Sequence, residues 1–201
     1  MRIDPAIAFL VRALTGAQVR WLARPTNNGP KVYFANHTSH LDAIVVWASL
    51  PASLRERTRP AAALDYWGDG RLRRFFAQRA FRAVLIERKD VRRDSNPLEA
   101  LLDVLERGDS LILFPEGTRG DGERIGPFKG GLYHLARHRP DVELVPVHID
   151  NLNRILPKGE FLVLPLLSCI RFGAPLRLEN GENREIFLRR AEDAVRRLQE
   201  T

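Results

Sequence analysis

Leu111-Ile112-Leu113-Phe114 is a run of four apolar residues without polar alternation, running straight into Pro115-Glu116-Gly117. A strand that is apolar on both faces has to be covered on both faces, as in a parallel sheet packed between helices. The segments around it have the matching rhythm. Short strand patterns at 31–35, 60–64, 83–86 and 143–149 are separated by helical patterns at 41–47, 71–80, 97–107 and 129–138. Asn96 and Pro97 open one of these helices as N-cap and first helical residue, and Gly108 closes it. Residues 161–176 read as one or two further strands interrupted by Pro165. The tail, 182–200, reads as an amphipathic helix with Phe187, Ala191, Val195 and Leu198 inward. The expected fold is a single α/β domain: a mainly parallel (mixed) central sheet flanked by helices, with amphipathic helices at both ends.

Residues 4–23 read as an amphipathic helix, with Ile3 just before it and Ile7, Leu10, Leu14 and Trp21 near one face, Arg2, Arg12 and Arg20 off that face, and Gly16 weakening the helix by ~1 kcal/mol. The expected division is therefore 1–23 as a candidate membrane-surface anchor, with packing on the protein's own core as the alternative, and 24–201 as the domain that carries the chemistry. The longest charge-free stretches, 43–54 and 161–170, fall short of the ~18 to 20 residues of a membrane span. Nor do residues 1–23 have the pattern of a signal peptide, and the lone Cys169 fits a reducing compartment as a small buried hydrophobe. The expected location is cytoplasmic, peripheral on the cytoplasmic face of the membrane.

The net charge is +7, and an excess of that size lies between Arg55 and Arg93, where twelve basic residues face five acidic ones. Such a cluster suits an anionic partner, with a solvated arginine-rich face as the plain alternative.

Two polar segments follow strands. In Asn36-His37-Thr38-Ser39-His40-Leu41-Asp42, His37 and Asp42 are five residues apart, ~140° around a regular helix, so they can meet only if His37 lies in the turn before it. A carboxylate on that imidazole would fix its tautomer and make His37 a general base. Ser39 and Asp42 also have capping-box spacing, which explains Asp42 without any chemistry. In Phe114-Pro115-Glu116-Gly117-Thr118-Arg119, Gly117 allows close approach of a ligand, Thr118 offers a hydroxyl, Arg119 suits a phosphate, and Glu116 is available to orient that arginine. An ordinary turn with surface charges is the alternative.

Taken together, Asn36-His37-x-x-x-x-Asp42 and, about 75 residues later, Phe114 to Arg119 resemble the glycerolipid acyltransferase superfamily, typified by 1-acylglycerol-3-phosphate acyltransferases. Val84-Leu85-Ile86-Glu87-Arg88, Phe128-Lys129-Gly130-Gly131 and Val145-Pro146-Val147 resemble that family's other blocks. The resemblance implies acyl transfer from an acyl-CoA or acyl-carrier-protein thioester to a hydroxyl of a lysophospholipid. It makes His37 the base and Asp42 its partner, and puts Arg88, Glu116, Gly117, Thr118 and Arg119 at the phosphorylated acceptor. The partners implied are membrane phospholipid, lysophospholipid and the acyl donor. No metal, no cofactor beyond that co-substrate and no nucleic acid are expected. One position departs from the pattern: the glycine usual six residues before the arginine of the second block is Arg82.

Two other classes compete. A zinc hydrolase would use His37-x-x-His40-x-Asp42, whose spacing does not match a metallo-β-lactamase-like motif, and His134 and His138 lack the Glu of His-Glu-x-x-His. A non-enzymatic module would bind anionic membranes through the arginine cluster.

Overall fold

The computed structural model describes residues 4–24, 28–63, 82–86, 96–120, 122, 124–150 and 168–201. Among these the elements run α1 (Asp4–Thr15), β1 (Gln18–Trp21), β2 (Lys31–Ala35), α2 (Asp42–Ser49), α3 (Ala52–Arg55), β3 (Thr58–Ala63), β4 (Val84–Ile86), α4 (Pro97–Glu106), β5 (Ser110–Leu113), α5 (Gly131–His138), β6 (Glu143–Asp150), β7 (Cys169–Phe172) and α6 (Arg184–Gln199). The described strands form one sheet in the order β1-β7-β6-β2-β5-β3-β4. The five from β6 to β4 are parallel; β7 is antiparallel to β6, and β1 is parallel to β7. This is the mostly parallel, mixed α/β sheet that the apolar strands called for.

The centre of the sheet is β2, buried at all five positions between β6 and β5. Its side chains divide by the strand period. Tyr33 and Ala35 pack with Val45, Val46 and Trp47 of α2 and Ala8 of α1. Val32 and Phe34 pack on the other face with Leu101 and Leu105 of α4, Leu132 and Leu135 of α5, and Phe187, Ala191 and Val195 of α6. The inward residues expected of the tail helix are buried as expected. At the start of β2 the register is pinned by Lys31 and Glu143, cross-strand partners 3.9 Å apart and both buried. From the other end of β2 the chain enters α2 and crosses to β3 on one side, whereas β5 leads through α5 to β6 on the other side. The carboxyl ends of β2 and β5 therefore flank the crevice where a doubly wound sheet binds its ligands.

Three expectations about the outer elements need correction. The first helix stops at Thr15, because Gly16 takes a left-handed φ of 54° and ends it, and Gln18–Trp21 pairs with β7 as an edge strand. Its buried side is Ile7, Ala8, Val11 and Thr15, one stripe around from the expected face; Leu10 and Leu14 point outward, and Trp21 stacks on Phe172 at 4.0 Å. The inner face of residues 4–15 thus packs into the common core. Cys169 is only half-buried, sharing the outer side of β7 with Arg171 while Ile170 and Phe172 turn inward.

The arginine cluster is also less free than its charge suggested. Arg55 is buried, donates to the Leu50 carbonyl and lies over the Trp47 ring; Arg57 donates to the Gly108 carbonyl; Arg59 pairs with Asp109. Arg55 ties α3 to the end of α2, and Arg57 and Arg59 tie the start of β3 to the turn before β5. Most of the remaining cluster, the helix expected at 71–80, Arg88, and the strand expected from 161 lie wholly or partly outside the described residues. Arg82 is described, and its φ of 47° is the left-handed backbone that glycine adopts without strain.

His148, on β6 opposite Arg171, is 4% exposed and its Nδ1 has no partner among the described residues. Burial, aided by Arg171 and opposed by Asp150, pushes its pKa down from 6.5 to about 4. The unfolded chain therefore binds a proton that the folded one refuses, so this contribution is complete above pH 6.5 and is lost as pH falls towards 4. Urea melts across that window should show His148→Gln losing less stability than the wild type, by up to roughly 3 kcal/mol.

Candidate active site

β2 ends at Ala35, and Asn36 continues the ladder with its side chain. The Asn36 Nδ2 donates to the Ile149 carbonyl at 2.9 Å, and the Ile149 N–H donates to Oδ1 at 2.8 Å. A carboxamide carries the same donor and acceptor as a peptide group, so the buried side chain completes the pairing with β6 while the backbone turns away. That fixes the starting point of the turn that carries His37.

Asp42, the first residue of α2, is fully buried. Its Oδ2 accepts from His37 Nδ1 at 2.8 Å, from Thr38 N at 2.6 Å and from Ser39 N at 2.8 Å, while Ser39 Oγ accepts from Leu41 N at 3.3 Å. The capping-box reading needs correction: the helix begins at Asp42 with Leu41 as its N-cap and no side-chain cap, so Ser39 lies outside it, and of the box only the bond from Ser39 N to Asp42 is made. Asp42 closes the turn before the helix and also holds the imidazole. The carboxylate accepts, so the ring proton lies on Nδ1 and Nε2 carries the lone pair. The ring is stacked on Phe114 at 4.3 Å and remains 16% exposed.

The segment after β5 holds the backbone of the same histidine. Glu116 accepts from His37 N at 2.7 Å through Oε1 and from Gly126 N at 2.9 Å through Oε2, and Gly120 N donates to the His37 carbonyl at 2.8 Å. Burial raises the Glu116 carboxyl above the usual range, against the pull of those two N–H groups. A Cβ on Gly126 would come within 2.9 Å of that carboxylate. Gly117, at φ 72°, closes a turn onto the Phe114 carbonyl, and the Lys129 side chain folds across it so closely that a Cβ there would meet its Nζ at 2.7 Å.

Glu116 was expected to orient Arg119. It is spent on backbone N–H groups instead, and Arg119 is hydrogen-bonded through Nη1 to His40 Nε2. Exposed Thr118 lines a cleft of about 430 Å³ with Arg124, Phe128 and Lys129. The structure thus brings His37, Asp42, Glu116, Gly117, Thr118 and Arg119 to one end of the sheet, and Arg88 lies outside the described residues. Sequence reasoning missed the parts played by Asn36, His40, Phe114 and Lys129. Only Asn36 had a readable signal, a peptide-like side chain directly after a buried strand. Among the described residues no group of three or more His, Cys, Asp or Glu could hold a metal ion.

A protein-family model described as Acyltransferase matches residues 17–150, which include the whole of this site. The chain belongs to the acyltransferase family. It is 30% identical over 136 residues to a chloroplastic 1-acyl-sn-glycerol-3-phosphate acyltransferase of Brassica napus, covering 67% of this chain and 37% of that protein. A chloroplastic protein of the same name from Arabidopsis thaliana matches at 30% over 136 residues, 67% of this chain and 36% of its own length. A probable 1-acyl-sn-glycerol-3-phosphate acyltransferase of Mycoplasma pneumoniae matches at 30% over 121 residues, 57% and 42% of the two lengths. The chain thus spans less than half the length of these relatives. The crystal structure of the 1-acyl-sn-glycerophosphate acyltransferase PlsC of Thermotoga maritima superposes with a TM-score of 0.77 at 20% identity, covering 98% of this chain and 79% of that one, so the two share a fold.

If Glu116 serves the site by holding the His37 backbone, Glu116→Ala should cost about 1 to 3 kcal/mol in thermal or urea unfolding, because it removes the shared acceptor of two half-buried N–H groups. In an acyl-transfer assay its turnover should then fall more than its affinity for a phosphorylated acceptor. The opposite split would return Glu116 to the acceptor site.

Proposed function

We propose that this acyltransferase-family chain moves a fatty acyl group from a thioester, an acyl-CoA or acyl-carrier protein, to a hydroxyl of a lysophospholipid such as 1-acylglycerol-3-phosphate. The observation that carries this reading is the 2.8 Å contact between His37 Nδ1 and Asp42 at the carboxyl end of β2, which leaves a lone pair on Nε2. The names of the sequence relatives support the substrate class.

His37 Nε2 takes the proton of the acceptor hydroxyl as its oxygen attacks the thioester carbonyl. Asp42 stabilises the imidazolium so formed. The tetrahedral intermediate collapses, the C–S bond breaks, and the departing thiolate takes the proton back from His37. A thioester is already activated, so no covalent enzyme intermediate is needed. Arg119 is the proposed ligand of the acceptor phosphate, with Gly117 and Thr118 shaping the turn that presents it; Arg88 keeps the same proposed role. Positioned general-base catalysis contributes about 10²- to 10⁴-fold. His37→Ala should lower turnover by at least that much, with circular dichroism close to wild type and a loss of stability of no more than about 1 to 3 kcal/mol from the donor that buried Asp42 loses. Transfer at near wild-type rate by the purified variant would refute the assignment.

A lysophospholipid is held in a bilayer, and no helix of the described residues is long and apolar enough to cross one. Attachment to the membrane surface, on its cytoplasmic side, is therefore part of the proposal. The outward face of α1 supports it: Phe9, Leu10 and Leu14 are 70, 56 and 52% exposed, and Arg12, Arg20 and Arg24 are exposed nearby in sequence. An apolar face combined with basic residues supplies the two signals that stable attachment requires. Leu10→Glu with Leu14→Glu should sharply reduce co-sedimentation with anionic vesicles at unchanged circular dichroism, and high salt should weaken wild-type binding. Vesicle binding unaffected by both changes would place the membrane surface elsewhere.

A further inference from the structure

His40 lies in the turn between His37 and Asp42, and its Nε2 meets Nη1 of Arg119, 79 residues later in the chain. Both side chains are half-buried. The contact ties the arginine of the second motif to the very segment that carries the proposed base. A guanidinium has donors only, so the imidazole must accept with the lone pair of Nε2 and carry its proton on Nδ1. His40 is therefore neutral in this contact.

The nature of that acceptor matters more than its presence. Among the described residues no carboxylate pairs with Arg119, and Glu116, its neighbour in the motif, is spent on the N–H groups of His37 and Gly126. A carboxylate would orient the guanidinium and cancel its charge. A neutral imidazole orients it through one N–H and leaves the full positive charge and four further donors for an anion. We propose that His40 is a positioning residue that holds Arg119 uncompensated for the phosphate monoester of the acceptor. This rests on the reading of the function given above.

A double-mutant cycle tests it, with acceptor KM, donor KM and kcat measured for each variant. His40→Ala should raise acceptor KM on the order of tenfold, as expected for losing a hydrogen bond to a charged group, with donor KM and kcat nearly unchanged. His40→Asn, which keeps a neutral acceptor, should recover part of the loss. His40→Asp, which orients but neutralises, should do no better than alanine. In the Arg119→Ala background His40→Ala should add nothing. A full additional effect in that background, or an effect on donor KM alone, would overturn the proposal. If the wild-type chain transfers acyl groups to no lysophospholipid, it is the functional reading that fails. The pairing is then decided by 15N NMR of the His40 ring at neutral pH: a lone pair on Nε2 whose shift changes in Arg119→Ala supports it, and a protonated Nε2 overturns it.

Discussion

One oxygen atom, Oδ2 of Asp42, receives three hydrogen bonds within 2.8 Å, and the end of the sheet that bears the site is arranged around it. The carboxylate is fully buried at the first turn of α2, where the helix dipole favours a negative charge and water does not compete. Two of the donors are backbone N–H groups of the turn, so the charge shapes the loop as well as the ring. Its other oxygen has no partner among the described residues. A carboxylate so placed is strongly biased towards its one cluster of donors, and rotating away would strand all three.

The rest of the site completes that anchoring from outside. Asn36 fixes the turn to β6, and Glu116 and Gly120 hold the N–H and carbonyl of His37 from the segment after β5. The two motifs are not two sites meeting across a cleft. They form one hydrogen-bonded knot in which the second motif supports the backbone of the first, and a histidine of the first orients an arginine of the second. A parallel sheet makes this possible because β2 and β5 are neighbours whose carboxyl ends emerge side by side.

Much of this was legible because it follows from periodicity and order. Apolar runs such as 111–114 called for a covered parallel sheet, and two polar segments placed directly after strands could meet at its carboxyl end; that β2 and β5 are neighbours was decided by the fold. The course of residues 16–23 was not legible. Trp21 fits a helical stripe as well as a strand, and only pairing with β7, distant in sequence, decided between them. Charge misled in two ways. Arg55, Arg57 and Arg59 looked like a surface for an anion yet are bound to carbonyls and Asp109, and Glu116 looked like a partner for Arg119 yet serves backbone N–H groups. Side-chain type predicts which bonds a group can make; which backbone groups lie within reach is set by the fold.

The central claim is that Asp42 acts on His37 by its charge as well as by its shape. Asp42→Asn separates the two, since a carboxamide oxygen can still accept from the turn but cannot stabilise an imidazolium. The single-turnover rate of acyl transfer to a lysophospholipid, measured on the same sample as its melting temperature, is the most direct test. A fall of roughly 10²-fold or more in rate, with a melting temperature within several degrees of wild type, is the expected result. A rate within a few-fold of wild type would contradict it and reduce Asp42 to a structural cap.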